Sequence, residues 1–183
     1  MTKENSLHIH QPLVDKAKLN DRQAQSQLYN LYYKAIYNSS LRIVGDTFIA
    51  EDIMQDAFVE GFKKIPQFKA ESTFGAWIKK IAINRSIDHL KKKQLITEKL
   101  EDYSAIEDDT TEEPSYSVEL IKEAMKALSP SYKTIFSLFM IEGYDHEEIS
   151  TIMNISQSTS RSQLTRAKVK LRRIIEQNNL VSL

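Results

Sequence analysis

No cysteine occurs anywhere in the 183 residues. That excludes disulfide staples, thiolate nucleophiles and cysteine-ligated zinc, and it suits a reducing compartment. Only four glycines are present, and none is arranged as a phosphate-cradling loop. No apolar run approaches the roughly 18 residues of a membrane span, and the opening MTKENSLHIHQPLVDK lacks the apolar centre of a secretory signal. The expectation is a cytoplasmic chain, neither inserted nor exported. Catalytic constellations are missing as well. His8 and His10 have no further ligand near them and are expected to be solvated. The HEEIS at His146 lacks the second histidine of a zincin motif, and Asp52, Asp56 and Glu60 read as surface acids of a helix. No enzyme activity, metal or cofactor is expected.

What is present is charge, balanced overall and unevenly placed. The chain has 25 basic and 25 acidic side chains. Residues 1–94 hold 15 basic and 10 acidic ones, residues 95–113 one and eight, and residues 114–183 nine and seven. The acid is concentrated between two mildly basic blocks. Two nucleic-acid-facing modules with a repelling linker would show this pattern, and so would a solvated acidic loop between ordinary domains.

Apolar spacing is helical nearly throughout, and no period-two alternation persists long enough to make a strand. The fold class is therefore all-α: two small helical domains joined by a flexible acidic linker. The expected divisions are a tail over residues 1–20, a first domain over 21–94, the linker over 95–116 and a second domain over 117–183. The first helix runs from about Asp21 to Val44, with Leu28, Leu31, Tyr32, Ala35 and Ile36 on one face and Gly45 as a left-handed cap. The second, about Ala50 to Ile65, has Asp46 or Thr47 as its cap, turns Ile53, Ala57, Phe58, Gly61, Phe62 and Ile65 inward and stops at Pro66. The third starts from Ser72 as its cap and carries Phe74, Trp77, Ile78, Ile81, Ile87 and Leu90 until the lysines at 91–93.

In the second domain, one helix from about Ser117 to Leu128 precedes another that starts at Pro130 and ends at Gly143. Asp145 with Glu148 forms a capping box for HEEISTIM, Asn154 suits a tight turn, and Ser156 caps a last, basic helix. Two helices joined by so short a turn, the second of them basic, outline a helix-turn-helix.

ISQSTSRSQLTRAKVKLRR, residues 155–173, has six basic residues and no acid. In a recognition helix Gln157, Ser158, Thr159, Arg161, Ser162, Gln163, Thr165 and Arg166 would face base edges, with Lys168, Lys170, Arg172 and Arg173 on phosphates. Alternatively they are exposed residues of an amphipathic helix whose Leu164, Ala167, Leu171 and Ile175 are buried. A second stretch, FKAESTFGAWIKKIAINRSIDHLKKK from Phe68 to Lys93, interleaves aromatics with cations, as single-stranded DNA requires. Its aromatics at that spacing would equally pack a core.

In order and spacing these segments resemble the bacterial RNA polymerase sigma factors of the extracytoplasmic-function class. AEDIMQDAFVEGFKKI is similar to their polymerase-clamp helix, STFGAWIKKIAINRSIDHLKKK to their promoter-melting helix, and residues 128–173 to their domain for the minus-thirty-five element. The resemblance implies that Asp52, Gln55 and Asp56 contact the polymerase, with Phe58 in the core behind them. It implies that Phe68, Lys69, Ser72, Trp77, Lys80, Asn84 and Arg85 meet the melted nontemplate strand at the minus-ten element. The helix-turn-helix residues, including Lys168, would meet duplex promoter DNA. Implied partners are core RNA polymerase, promoter DNA and an anti-sigma factor, with the chemistry left to the polymerase. Departures fall at Asn154, Ser158 and Ser160, where the family commonly has glycine, glycine and valine, and the last two are expected on the reading surface. A regulator that works without polymerase, through the helix-turn-helix alone, is the competing reading.

Overall fold

A computed structural model describes residues 9–93 and 116–180. Every regular element among them is helical. His8 and nearly all of the expected linker lie outside the described residues. The chain divides into two compact units between residues 89 and 90.

The N-terminal unit holds α1 over Gln11–Lys18, α2 over Arg22–Val44, α3 over Thr47–Lys64 and all but the last turn of α4, which spans Phe74–Lys92. The first of these falls where a tail was expected. It is only eight residues long and turns just Val14 and Ala17 fully inward, too short a pattern for periodicity to register. His10, expected to be solvated, is half-buried and shares a 2.7 Å hydrogen bond with the Tyr32 hydroxyl. The helix α2 opens on Asp21, whose carboxylate accepts from the amides of Gln23 and Ala24, and closes on Gly45 at φ 73°. Its inward stripe differs from the expected one. Ala24, Leu28, Ile36, Ser39, Ser40 and Ile43 are buried, whereas Leu31 and Ala35 face solvent. Two adjacent small serines let the buried line continue, and apolar spacing alone passes over them.

Asp46, one of the two expected caps, accepts from the Ile49 amide, and α3 starts at Thr47, three residues before its expected start. The buried residues of α3 are Ala50, Ile53, Met54, Ala57, Phe58 and Gly61, followed by Ile65 in a short 3-10 turn that contains Pro66. Aromatic rings bind the unit together. Tyr29 meets Phe58 at 4.8 Å, Tyr32 meets Phe74 at 5.7 Å, and Phe68 meets Trp77 at 5.1 Å. Each such pair adds about 0.5–1.5 kcal/mol beyond the area it buries.

The C-terminal unit comprises α5 over Val118–Lys126, α6 over Pro130–Phe136, α7 over His146–Met153 and α8 over Gln157–Leu180. Ser117 caps α5. Ser129 holds the cap position of α6, but its side chain makes no capping bond. Beyond Phe136 the helix widens into a π-helical turn over Ser137–Ile141, and Gly143 at φ 78° ends the segment. The Asp145–Glu148 capping box is formed, and Asn154 sits in the left-handed region at φ 58°. Ser156 accepts from the Thr159 amide to start α8. Leu164, Ala167, Leu171 and Ile175 are all buried, and the two leucines and the isoleucine each contribute about 1.5–3 kcal/mol.

Gly75 shows how closely the first unit is packed. A Cβ there would overlap the Tyr32 ring, which is held in turn by His10. Gly75→Ala is expected to cost about 1–3 kcal/mol through overpacking, read as a lowered urea midpoint for unfolding.

Candidate polymerase and nucleic-acid interfaces

The outer face of α3 follows from its inner one. With Ile53, Ala57, Phe58 and Gly61 committed to the core, Asp52, Gln55 and Asp56 are left exposed. Gln55 donates to Glu51 at 3.3 Å, and Asp52 stands clear. Asp56 is engaged by a residue from another helix. The Arg85 guanidinium donates through Nη1 to Asp56 at 2.8 Å and through Nε to Glu60 at 2.9 Å. Glu60 also receives Lys64 at 2.6 Å. Its carboxyl is held below the usual carboxylate range, first by the Lys64 hydrogen bond and then, against some opposing burial, by Arg85.

The loop between α3 and α4 is anchored by Phe68, only 5% exposed, which packs on Phe74 and Trp77 with the Lys18 ammonium 5.7 Å from its ring centre. Phe68 therefore belongs to the core, and cannot stack on a base in this conformation. It carries the loop outward to exposed Lys69 and Ser72, through Ala70 at φ 58°. A left-handed alanine stores about 1–2 kcal/mol of strain. The expected cap at Ser72 shifts by one residue, since the Thr73 hydroxyl accepts from the Ala76 amide. On α4, Lys80 and Asn84 are exposed one turn apart. Trp77 and Arg85 lie on the adjoining flank, half-buried.

In the C-terminal unit, Gln157, Ser158, Arg161 and Ser162 are exposed on the first turns of α8, with Thr165 beside them. Arg161 donates to Gln157 at 3.4 Å, which brings the two candidate base readers together. Ser160 points the other way. It is fully buried, and its hydroxyl lies 2.9 Å from His146 Nδ1. The Phe139 ring stacks on that histidine at 4.7 Å. Ser160 is thus removed from the expected reading surface, because a polar partner fourteen residues upstream allows a serine to be buried. Gln163 is also turned aside, its side-chain carbonyl enclosed without a hydrogen-bond partner among the described residues. Thr159 and Lys168 are half-buried. Arg166 lies about 140° around the helix from Arg161 and lines a cleft of about 180 Å³ with Tyr132, Val169, Lys170, Arg173 and Ile174.

Comparison with known proteins bears directly on these two surfaces. Residues 28–96 match sigma-70 region 2, and residues 119–171 match sigma-70 region 4. The ECF RNA polymerase sigma factor SigW of Bacillus subtilis (strain 168) is 30% identical over 174 residues, covering 87% of this chain and 93% of its own. The chain belongs to the extracytoplasmic-function sigma factors. The ECF RNA polymerase sigma-E factor of Haemophilus influenzae is 28% identical, with 86% of this chain and 90% of that one covered. Among solved structures, the sigma factor RpoE in complex with the anti-sigma factor NepR from Bartonella quintana matches with a TM-score of 0.57 at 20% identity, covering 82% of this chain and 96% of that one. CnrH in complex with the cytosolic domain of CnrY matches at 0.55 and 17%, with 90% and 95% covered. At those identities the likeness shows the fold.

A sigma factor acts in transcription initiation through core RNA polymerase and promoter DNA, and each family region lies mainly within one of the two folded units. Region 2 accounts for the N-terminal unit, which a regulator built on the helix-turn-helix alone would not need. No described helix of this sigma factor is long and apolar enough to cross a membrane. Besides the His10–Tyr32 bond, sequence reasoning missed two pairings in it: Arg85 with Asp56 and Glu60, and His146 with Ser160. Both join residues on different helices, and neither leaves a local pattern.

The His146 pairing has a pH signature. Burial, and then the nearby Arg161, push its pKa below the ordinary histidine value, with Asp145 opposing. The unfolded chain therefore takes up the proton first as pH falls. The contribution of neutral His146 is complete above the unfolded value of about 6.5 and is lost as pH falls through the lower folded value. Thermal melts over that range are expected to show a falling midpoint for the wild type, and a smaller fall for His146→Gln.

Proposed function

We propose that this sigma factor holds the polymerase clamp with Asp52, Gln55 and Asp56, receives the melted minus-ten strand on the α3–α4 loop and α4, and reads the minus-thirty-five element with the start of α8. The observation that carries this reading is the exposed acidic face of α3, backed by Phe58 in the core. An acidic face suits a basic protein partner and repels DNA, so it separates polymerase binding from promoter contact within one unit.

On the minus-ten side, Lys69, Ser72, Lys80 and Asn84 offer cations and hydrogen-bonding groups at the surface, with Trp77 half-exposed beside them. Extracting a base costs a few kcal/mol, which stacking and hydrogen bonds must recover. The strained, Phe68-anchored loop presents Lys69 and Ser72 already in place, and α4 presents the others. On the duplex side, Gln157, Ser158, Arg161, Ser162 and Thr165 form the reading face, and Arg172 continues it toward phosphates. Lys168, two turns beyond Arg161, lines up with that face, whereas Thr159, Gln163 and Arg166 are turned away from it. The chemistry of RNA synthesis stays with the polymerase, and the sigma factor requires no cofactor of its own. An anti-sigma factor, of the kind with which RpoE is in complex, would regulate this sigma factor by covering these surfaces, and the cytoplasm would be where the sigma factor acts.

Asp52→Lys is expected to abolish co-elution with core polymerase and promoter-dependent transcription in vitro, with the fold intact by circular dichroism. Co-elution at wild-type strength would overturn the clamp assignment. In the other unit, Arg161→Ala is expected to change which promoters are used, at about 1–3 kcal/mol of lost discrimination. Arg172→Ala is expected to weaken all DNA evenly and reduce the salt slope by about 0.9. Equal losses on all sequences for both variants would reject this division of labour.

A further inference from the structure

Arg85 joins two surfaces that the proposed function assigns to different partners. It rises from α4, the helix offered to the nontemplate strand, yet its guanidinium is held by two carboxylates of α3, the helix offered to polymerase. The three side chains are not sealed from solvent: Arg85 is 37% exposed, Asp56 64% and Glu60 27%. Exposed ion pairs of this kind exchange partners easily, because each is worth little on its own. The two carboxylates differ in what else they touch. Asp56 lies on the exposed face beside Asp52 and Gln55, where a basic partner can take it. Glu60 is the more enclosed of the two and is kept ionised by Lys64.

We propose that Arg85 couples polymerase binding to minus-ten binding in this protein. In the free chain Asp56 occupies the Nη1 edge of the guanidinium. When a basic residue of polymerase takes Asp56, that edge is released and turns to a phosphate of the nontemplate strand, a group whose oxygens match the planar donors of arginine. Glu60 acts as a positioning residue. It retains the Nε edge throughout and keeps the freed side of Arg85 on the flank of α4 that adjoins Asn84. By linkage the effect is reciprocal, so a DNA strand that draws Arg85 away leaves Asp56 free for polymerase. The proposal rests on the assignment of α3 to polymerase and α4 to DNA.

The test is a mutant cycle on the full chain without polymerase, using a fluorescein-labelled single-stranded DNA of mixed sequence at low salt. Asp56→Asn is expected to tighten binding by about fivefold, the low end of ordinary site-to-site coupling. That gain is expected to vanish when Arg85→Gln is added. Glu60→Gln in the Asp56→Asn background is expected to lose part of the gain, although it removes another negative charge. A gain that persists with Arg85→Gln would show only the general field of one fewer acid, and would overturn the proposal. So would no gain at all in a variant that circular dichroism shows to be folded. The polymerase assignment is judged separately: failure of the wild type to co-elute with core would refute that reading, while the core-free cycle would still report whether Asp56 restrains Arg85.

Discussion

Burial of a single stripe on each interface helix decides what its other faces can touch. On α3 the stripe through Ile53, Ala57, Phe58 and Gly61 leaves three polar residues pointing outward at the spacing of one helical turn. On α8 the stripe through Leu164, Ala167, Leu171 and Ile175 does the same for Gln157, Arg161 and Ser162. Neither surface was built by adding charge to a neutral scaffold. Each is what remains once the core has taken its share, which is why small residues such as Gly61 and Ala167 matter to binding without touching a partner.

Local signals made most of the architecture legible. Asp21, Asp46, Ser117, Asp145 and Ser156 all serve as caps. Gly45 and Asn154 adopt the left-handed conformations that their positions suggest. These features depend on residues three or four apart, and a sequence displays them directly. The errors came from interactions at longer range. Phe68 looks like a stacking residue in a basic, aromatic stretch, but Phe74 and Trp77 enclose it. Ser160 looks exposed until His146 arrives from the preceding helix. The helix α1 was invisible because its two buried residues gain their meaning only against α2.

Electrostatics in the two units differ in kind. In the N-terminal unit opposite charges are interlocked across helices, so the availability of one depends on the occupation of another. In the C-terminal unit the cations of α8 spread around the helix, some beside the reading residues and others along the cleft with Tyr132. A count of basic residues in that last helix therefore overstates the number that can meet one DNA duplex at once. The formal neutrality of the whole chain conceals both arrangements.

The hydrogen bond between His10 and Tyr32 reaches further than its place near the start of the described chain suggests. Tyr32 packs on Phe74 and closes over Gly75, the first turn of α4. The opening segment is therefore a buttress for the helix that carries Lys80, Asn84 and Arg85. A minimal fragment of the first unit begins ahead of His10 and includes α1, and one cut at residue 21 would leave the entry of α4 without its outer support.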